Sequence, residues 1–258
     1  NRISKMSIKL YAMTCGWLTS DADMMLAGRE GKIHFPVPAY LIDHPRGLVL
    51  FDTGLHPQCQ HDAQGRIGVM ANLFQVHFRP GEDIKSRLEA LDIDANKIQY
   101  LVNSHLHFDH SGGNELVPNA KIIIQQKEWE AGHIPELIHQ NGYSLNDYNH
   151  GHFVQKINGE HDLFGDGRIV TIPTFGHTPG HQSLKVRLDS GDIILTADAC
   201  YLKESLTNLH LPRLVHNRLD MLNSLLMLRK LKRSGARIFY GHDPLFWESV
   251  PQAPMIIT

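Results

Sequence analysis

One short motif constrains this chain more than any other feature of its sequence. Residues 105–110 follow the pattern H-x-H-x-D-H, which puts His105, His107, Asp109 and His110 within six residues. Such side chains converge only where the backbone leaves regular structure, and a loop after the apolar run at 98–103 would permit that. Imidazole and carboxylate groups suit Zn²⁺ and other first-row divalent ions. The motif therefore predicts a metal-binding loop, and the alternative is a polar, histidine-rich turn.

Three further candidate ligands follow predicted strands. His177, Asp198 and His242 each come within three residues of the end of an apolar, β-branched run. In α/β folds, ligand sites collect outside the carboxyl ends of strands, so we expect these side chains to join the motif in one site. Taken singly, each is more often a hydrogen-bonded loop residue. Their joint occurrence favours a shared site.

The number of candidate ligands predicts two metal ions. Five histidines and two aspartates exceed the four positions of one tetrahedral zinc, and a catalytic site also leaves room for water. One aspartate can bridge two ions. Two ions about 3.5–4 Å apart lower the pKa of a water between them and stabilise both the attacking and the leaving oxygen. This arrangement predicts hydrolysis.

The rest of the sequence predicts an α/β fold in which helices cover the outer faces of two β-sheets, as a single domain over residues 1–258. Apolar residues at helical spacing predict one helix around 84–91 and a second with Leu219, Leu222 and Leu226 as its apolar stripe. The predicted strands span residues 7–13, 39–42, 47–51, 98–103, 121–125, 168–174, 183–188, 192–196 and 236–240.

Two polar segments, 56–81 and 133–162, show no clear pattern of secondary structure. Loops of that length in a compact domain are usually functional or flexible.

Charge and composition exclude several partners. The chain has 25 Lys and Arg against 27 Asp and Glu, so no overall field attracts nucleic acid or an anionic membrane. No apolar run approaches the roughly 18 residues of a membrane span. Three widely spaced cysteines without a C-x-x-C pair predict free thiols and a cytoplasmic location. Because the sequence begins at Asn1, a removed signal peptide stays open as an alternative.

The motifs resemble a known superfamily. H-x-H-x-D-H with the later His, Asp and His resembles the metallo-β-lactamase superfamily from Ala39 to Asp243, and Asp52 matches its D-T-G turn. More narrowly, S-H-L-H-F-D-H-S-G-G, G-H-T-P-G-H-Q-S-L and T-A-D-A-C-Y resemble the N-acyl-homoserine lactonases, which open the lactone of bacterial quorum-sensing signals. The resemblance implies the αβ/βα sandwich of that superfamily.

The resemblance also implies roles for individual residues. It puts one ion on His105, His107 and His177, and a second on Asp109, His110 and His242, with Asp198 bridging. Zinc is the first choice for both ions, and cobalt, manganese and iron are alternatives.

The implied reaction is attack on the lactone carbonyl by a hydroxide shared between the two ions. Tyr201 would bond the substrate carbonyl, and Asp109 would pass a proton to the leaving oxygen. Phe108 would form a wall of the pocket or pack beneath the loop. His181 would orient its loop rather than bind metal.

An acyl chain attached to the lactone needs an apolar groove, which the polar catalytic loops do not supply. Two segments have spare apolar residues outside any clear strand or helix: 17–26, with Trp17, Leu18 and Met25, and 70–78, with Met70 and Phe74. We expect Met25 and Phe74 to contact the chain. The alternative is that these segments pack a homodimer interface. The histidines outside the motifs are not expected to touch substrate.

Several rival functions share the scaffold. A glyoxalase-II-like thioesterase, a phosphotriesterase and a true β-lactamase are the nearest. Flavin-linked diiron oxidoreductases resemble H-x-E-x-D at the loop, whereas this chain has His107 in the middle position and no appended flavin domain. Balanced charge disfavours a nuclease. A non-enzymatic metal-binding module would need an incomplete ligand set, and this set is complete.

Overall fold

The computed structural model describes residues 7–258. In this part of the chain, two β-sheets lie face to face. The strands are β1 Lys9–Asp21, β2 Lys32–His44, β3 Gly47–Phe51, β4 Gln75–His77, β5 Ile98–Val102, β6 Lys121–Gln125, β7 Val154–Ile157, β8 His161–Asp162, β9 Ile169–Pro173, β10 Gln182–Leu188, β11 Gly191–Leu195 and β12 Arg237–Phe239.

Strand direction brings several carboxyl ends together. The first sheet has the order β4-β1-β2-β3-β5-β6-β7, and β3, β5, β6 and β7 pair in parallel. The second has the order β12-β11-β10-β9-β8. Because β9 and β11 both pair antiparallel with β10, and β12 pairs parallel with β11, strands β9, β11 and β12 point the same way.

The main core lies between the sheets. Leu10 and Phe51 from the first sheet pack in one buried cluster with Leu184 and Leu195 from the second. A second cluster covers the outer face of the first sheet and a third the outer face of the second. Helices covering both outer faces confirm the predicted α/β sandwich. The single domain over residues 1–258 stays a proposal.

Helices fill the connections between strands. They are α1 Ala63–Ile67, α2 Ile84–Glu89, α3 Phe108–Ser111, α4 Gln126–Ala131, α5 Pro135–Asn141, α6 Leu145–Tyr148, α7 Lys203–Asn208, α8 Arg218–Arg233 and α9 Pro244–Glu248. The two segments expected to be long loops therefore contain α1, α5, α6 and the strands β4, β7 and β8. Each of these elements is too short to leave a periodic pattern in the sequence.

The apolar stripe predicted for α8 was wrong. Leu219 is 73% exposed and Leu226 is 44% exposed, whereas Met221, Leu225 and Leu228 are buried. A helix with so many leucines offers more than one apolar stripe. The packed side is the one on which the backbone of Met221 approaches Gly176, where a Cβ on the glycine would lie 2.2 Å from the Met221 nitrogen.

The first strand is longer than expected. Trp17 and Leu18, expected outside regular structure, lie in β1, and Leu18 is fully buried. The register with β2 shifts between Thr14 and Trp17, so the strict alternation of side chains is broken at this point. Within residues 7–258, no helix is both long and apolar enough to cross a membrane.

Candidate metal centre

Strand ends supply the side chains of the site. The H-x-H-x-D-H loop begins three residues after β5 and runs into the short helix α3, whose first turn contains Asp109 and whose last residues include His110. His177 follows β9, Asp198 follows β11 and His242 follows β12. The edge where these strands end therefore brings together all seven candidate ligands.

Asp52, directly after β3, holds the metal loop in shape. Its carboxylate accepts hydrogen bonds from the Ser104 nitrogen at 2.7 Å, from the Ser104 hydroxyl at 2.6 Å and from Nδ1 of His110 at 2.8 Å. Asp52 has a φ of 62°, in the left-handed region that non-glycine residues rarely adopt. The contacts support the structural role that the D-T-G match predicts.

Three histidines and one aspartate form the first group of candidate ligands. Nδ1 of His107 lies 3.0 Å from Nε2 of His105 and 3.1 Å from Nε2 of His177. Oδ2 of Asp198 lies 3.1 Å from Nε2 of His177. One ligand atom from each residue lies within 4.8 Å of all the others, which is close enough for one ion to contact all four.

Asp109, His110 and His242 form the second group, whose ligand atoms also lie within 4.8 Å of one another. Oδ1 of Asp198 lies 3.0 Å from Nε2 of His110 and 2.9 Å from Nε2 of His242. Because its Oδ2 faces the first group, Asp198 presents one oxygen to each group. This is the geometry of a bridging carboxylate.

The ring nitrogens that face away from the groups have their own partners. Nε2 of His107 donates to the Asn141 carbonyl at 2.6 Å, and Nδ1 of His242 donates to the Pro36 carbonyl at 2.7 Å. Nδ1 of His105 lies 2.8 Å from the Ser104 hydroxyl. Such bonds fix the tautomer and leave the inward nitrogen of His107 and of His242 with a free lone pair, as metal-ligating histidines require.

The electrostatics of the site also suit a cation. Burial lowers the pKa of His107 to about 4, with His177 adding to the effect, so its imidazole is neutral. At His110 burial acts to lower the pKa, but the surrounding carboxylates, Asp198 first, outweigh it and hold the pKa well above its ordinary value. The site thus carries negative charge that stabilises a positive one.

Two buried polar atoms of the site have no hydrogen-bond partner. Nε2 of His110 and Oδ1 of Asp198 are buried without a hydrogen-bond partner, although they face each other. A buried polar atom left in this way costs about 1–3 kcal/mol. A divalent cation between the groups would satisfy both, so the donor set fits metal ions.

Gly241 and His181 position the loop that carries Asp198. A Cβ at Gly241 would lie 2.1 Å from the Ala197 oxygen, so only glycine lets the His242 loop approach the Asp198 loop this closely. Nε2 of His181 accepts from the Asp198 nitrogen at 3.1 Å, and its Nδ1 lies 2.9 Å from the Thr174 hydroxyl. Both ring nitrogens are engaged, which supports an orienting role.

Tyr201 and Phe108 lie beside the groups. The Tyr201 oxygen is 3.2 Å from Nδ1 of His177. Burial raises the pKa of Tyr201 well above its ordinary value, and Asp198 and Asp109 add to this, so the phenol keeps its proton. Phe108 is buried and packs against Phe74 with ring centroids 5.6 Å apart.

One cavity of about 410 Å³ connects both groups to an apolar wall. Tyr201, Phe108, Met25 and Phe74, all expected to contact substrate, line it. Met24, Met70 and Leu73 also line the cavity, as the segments 17–26 and 70–78 led us to expect. Sequence reasoning missed the other lining residues, which are Phe35, His139, Gln140, Asn141, Gly142, Leu214, Val215 and His216.

Phe35 lies in β2, and the other seven missed residues come from two connections. Residues 139–142 end α5, and 214–216 lie in the irregular segment between α7 and α8. The 209–217 segment is bonded at one end to the 22–31 loop, where the Ala27 nitrogen donates to the Leu211 carbonyl at 2.9 Å. At its other end, the Asn217 nitrogen donates to the Gly176 carbonyl at 2.9 Å. No local motif marks either connection.

The sequence matches a known family model. Residues 34–242 match the model described as the metallo-beta-lactamase superfamily. The chain is 35% identical over 256 residues to an N-acyl homoserine lactonase, AttM, of Azorhizobium caulinodans, a match that covers 96% of this chain and 97% of the relative.

Solved structures agree with the sequence match. An N-acyl homoserine lactone hydrolase with the product N-hexanoyl-L-homoserine bound at its catalytic metal centre superposes with a TM-score of 0.88 at 28% identity, covering 98% of this chain and all of that one. AidC, a dizinc quorum-quenching lactonase in complex with a product, has a TM-score of 0.68 at 18% identity, covering 99% of this chain and 95% of its own. The second likeness shows the fold.

Proposed function

Because the chain belongs to the metallo-beta-lactamase superfamily and, within it, to the N-acyl homoserine lactonases, we propose that it opens the lactone ring of N-acyl homoserine lactones by hydrolysis. The product of this reaction is bound at the catalytic metal centre of a similar solved structure.

The observation that carries the proposal is the lining of the cavity. Apart from histidines and the two metal groups, its polar side chains are the uncharged Gln140, Asn141 and Tyr201, and the rest of the lining is mainly apolar. An uncharged lactone with an apolar acyl chain suits such a surface. A glutathione thioester or a β-lactam also brings a carboxylate, which is best held by a cationic side chain.

We assign two divalent ions to the two groups, with zinc as the first choice because imidazole and carboxylate ligands suit it. Bound there, the ions supply a water of lowered pKa as the nucleophile and positive charge for the developing oxyanion. The assigned ligands are His105, His107 and His177 for the first ion, Asp109, His110 and His242 for the second, and Asp198 for both.

The chain's own side chains bind and orient the substrate. Tyr201 donates a hydrogen bond from its phenol to the carbonyl oxygen of the lactone, where negative charge develops as water adds. Asp109 relays a proton: its carboxylate takes one that the attacking water loses and passes it to the ring oxygen as the ring C–O bond breaks. Phe108, Met25 and Phe74 hold the acyl chain and exclude water from it.

We also propose that the protein is located in the cytoplasm. Cys15, Cys59 and Cys200 are buried and unpaired, which suits a reducing compartment. A homodimer is the alternative use of the apolar segments, because Leu73, which lines the cavity, is 43% exposed and Val69, next to the 70–78 segment, is 74% exposed.

A turnover screen tests the function. The zinc-loaded protein is assayed against hexanoyl-homoserine lactone, a glutathione thioester, a phosphotriester and a β-lactam. We expect the highest kcat/KM for the lactone. A higher kcat/KM for any of the other three would replace the proposed function with that activity.

A further inference from the structure

Glu128 is a fully buried carboxylate that takes part in neither metal group. It lies in the first turn of α4 and accepts three hydrogen bonds. The donors are the Tyr143 hydroxyl, the Thr178 hydroxyl at 2.8 Å and the Gly180 nitrogen at 2.9 Å. A buried carboxyl group that accepts three hydrogen bonds holds the segments that donate them in place.

Two of the donors belong to the loop that carries His177. Thr178 directly follows His177, and Gly180 is three residues after His177. A Cβ at Gly180 would lie 2.3 Å from the Glu128 nitrogen, so this loop rests directly on the start of α4. Moving Glu128 would therefore move the loop, and with it the Nε2 atom that His177 presents to the first group.

The third donor lies beside another histidine of the same group. The ring of Tyr143 packs against the ring of His107, with centroids 5.4 Å apart. Two residues earlier in the chain, the Asn141 carbonyl accepts from Nε2 of His107. Glu128 thus fixes the segment that sets the orientation of His107 as well as the loop that carries His177.

The second group has other supports. His110 is held by Asp52, and His242 by the Pro36 carbonyl. His105, in the first group, is linked to Asp52 through the Ser104 hydroxyl. Glu128 therefore supports two of the first group's histidines and none of the second group's.

We propose that Glu128 is a positioning residue for the first metal ion, acting through Thr178, Gly180 and Tyr143. Losing this support weakens metal binding at the first group and leaves the second group unchanged. Outer partners of metal ligands typically contribute about ten- to a hundred-fold in affinity. The inference rests on the proposed two-ion site, but not on which substrate the enzyme hydrolyses.

The test measures Zn²⁺ affinity at each group separately. In a His242→Ala background the first group is the intact one, and in a His177→Ala background the second group is. Glu128→Ala and Thr178→Val are added to each background, and the Kd for Zn²⁺ is measured by competition with a chelator. Because no lactone is used, failure of the lactonase assignment would not alter these measurements.

We expect both substitutions to weaken Zn²⁺ binding by about ten- to a hundred-fold in the His242→Ala background and by less than about threefold in the His177→Ala background. Glu128→Gln is the matched control. Its amide oxygen still accepts from Thr178 and Gly180, and its NH₂ group donates to the Tyr143 oxygen, so affinity should stay near that of the parent.

Two results would overturn the proposal. Equal loss of affinity in both backgrounds would mean that Glu128 acts on the fold as a whole, and unchanged affinity in the His242→Ala background would mean that the first group needs no such support. The Tm of each metal-free variant is recorded beside the Kd. If Glu128→Ala does not fold, the milder Thr178→Val decides the question alone.

Discussion

The phenol oxygen of Tyr201 lies 3.2 Å from Nδ1 of His177, while the other ring nitrogen of His177 faces the first metal group. When Nε2 holds an ion, the ring proton is on Nδ1 and points to the phenol oxygen. The phenol oxygen then accepts this bond, and its own hydrogen is free to point into the cavity. One histidine thus serves the metal group and orients the donor proposed to bond the substrate.

Tyr201→Phe should lower kcat by about ten- to a thousand-fold, because one positioned donor at a developing oxyanion contributes a few kcal/mol. The zinc content of metal-saturated samples should not change, since all seven candidate ligands stay in place. Steady-state kinetics with hexanoyl-homoserine lactone and elemental analysis of the same samples measure both quantities. Tyr100→Phe, on β5 and packed against Phe164, is the control for loss of a phenol elsewhere. Unchanged kcat in Tyr201→Phe would leave this residue a packing role only.

The metal-saturated protein should hold two divalent ions per chain, because Asp198 presents one oxygen to each group. His242→Ala should empty mainly the second group, and Asp198→Ala should weaken both. Elemental analysis after gel filtration measures the ratio of metal to protein. A ratio that stays at one after further metal is added would contradict the two-ion site.

The sequence was informative about the site because the ligands are chemically distinctive. His105, Asp109 and Asp198 belong to residue types that rarely accumulate at strand ends without a role, and their positions after predicted strands are enough to predict that they lie together. Their place as ligands stays a prediction until metal is measured. The fold class followed from the same alternation of strands and helices, and the structure confirms it.

The supports of the site could not be found in the same way. Glu128 is about fifty residues from Thr178 and Gly180, so no local spacing connects them. In the sequence it is an ordinary glutamate of a short helix. Likewise, His139 at the end of α5 and His216 in the irregular segment before α8 line the cavity because of where these segments pack. The sequence of α8 likewise could not show that Leu219 is exposed, since several stripes of this helix are apolar enough to be buried.

Stability should depend on pH through Asp147, which pairs with Arg66 at 3.1 Å and belongs to neither metal group. Burial raises the pKa of Asp147 to about 6, although Arg66 acts in the opposite direction. In the unfolded chain an aspartate has a pKa of about 3.9. Between these two values the native state keeps a proton that the unfolded state releases. The contribution of Asp147 therefore lowers the free energy of unfolding as pH rises towards 6, and above pH 6 this loss stays constant.

Asp147→Asn removes that titration. Relative to the parent, the variant should gain about 1 kcal/mol in free energy of unfolding between pH 5 and pH 7.5. Urea unfolding of the metal-free proteins at both pH values gives this difference, and other titrating groups cancel in the comparison. Asp189→Asn, at an exposed turn position, should show no such change. If the difference in free energy of unfolding between Asp147→Asn and the parent does not grow from pH 5 to pH 7.5, the Asp147 carboxyl does not titrate in this range.

The acyl chain is expected to lie along the wall that Met25 and Phe74 form with Phe108. Met25 is buried, whereas Phe74 is partly exposed and packs edge-on against Phe35 with centroids 6.5 Å apart. Removing the Phe74 ring would therefore take apolar surface from the cavity wall without leaving a void in the buried core. Each methylene moved from water onto such a wall contributes up to about 0.8 kcal/mol, so kcat/KM should rise with chain length until the wall is covered.

Phe74→Ala should thus lower kcat/KM by about tenfold more for decanoyl- than for butanoyl-homoserine lactone, because the longer chain loses contacts that the short one never makes. Met25→Ala should act in the same direction. Phe153→Ala removes a 72% exposed ring from the loop before β7 and is the matched control. Kinetics across the series of chain lengths are measured together with the molar mass in solution. Equal losses at every length, or a fall in molar mass with unchanged chain preference, would assign Phe74 to an interface between copies of the chain, because a wall that holds the acyl chain must discriminate by its length.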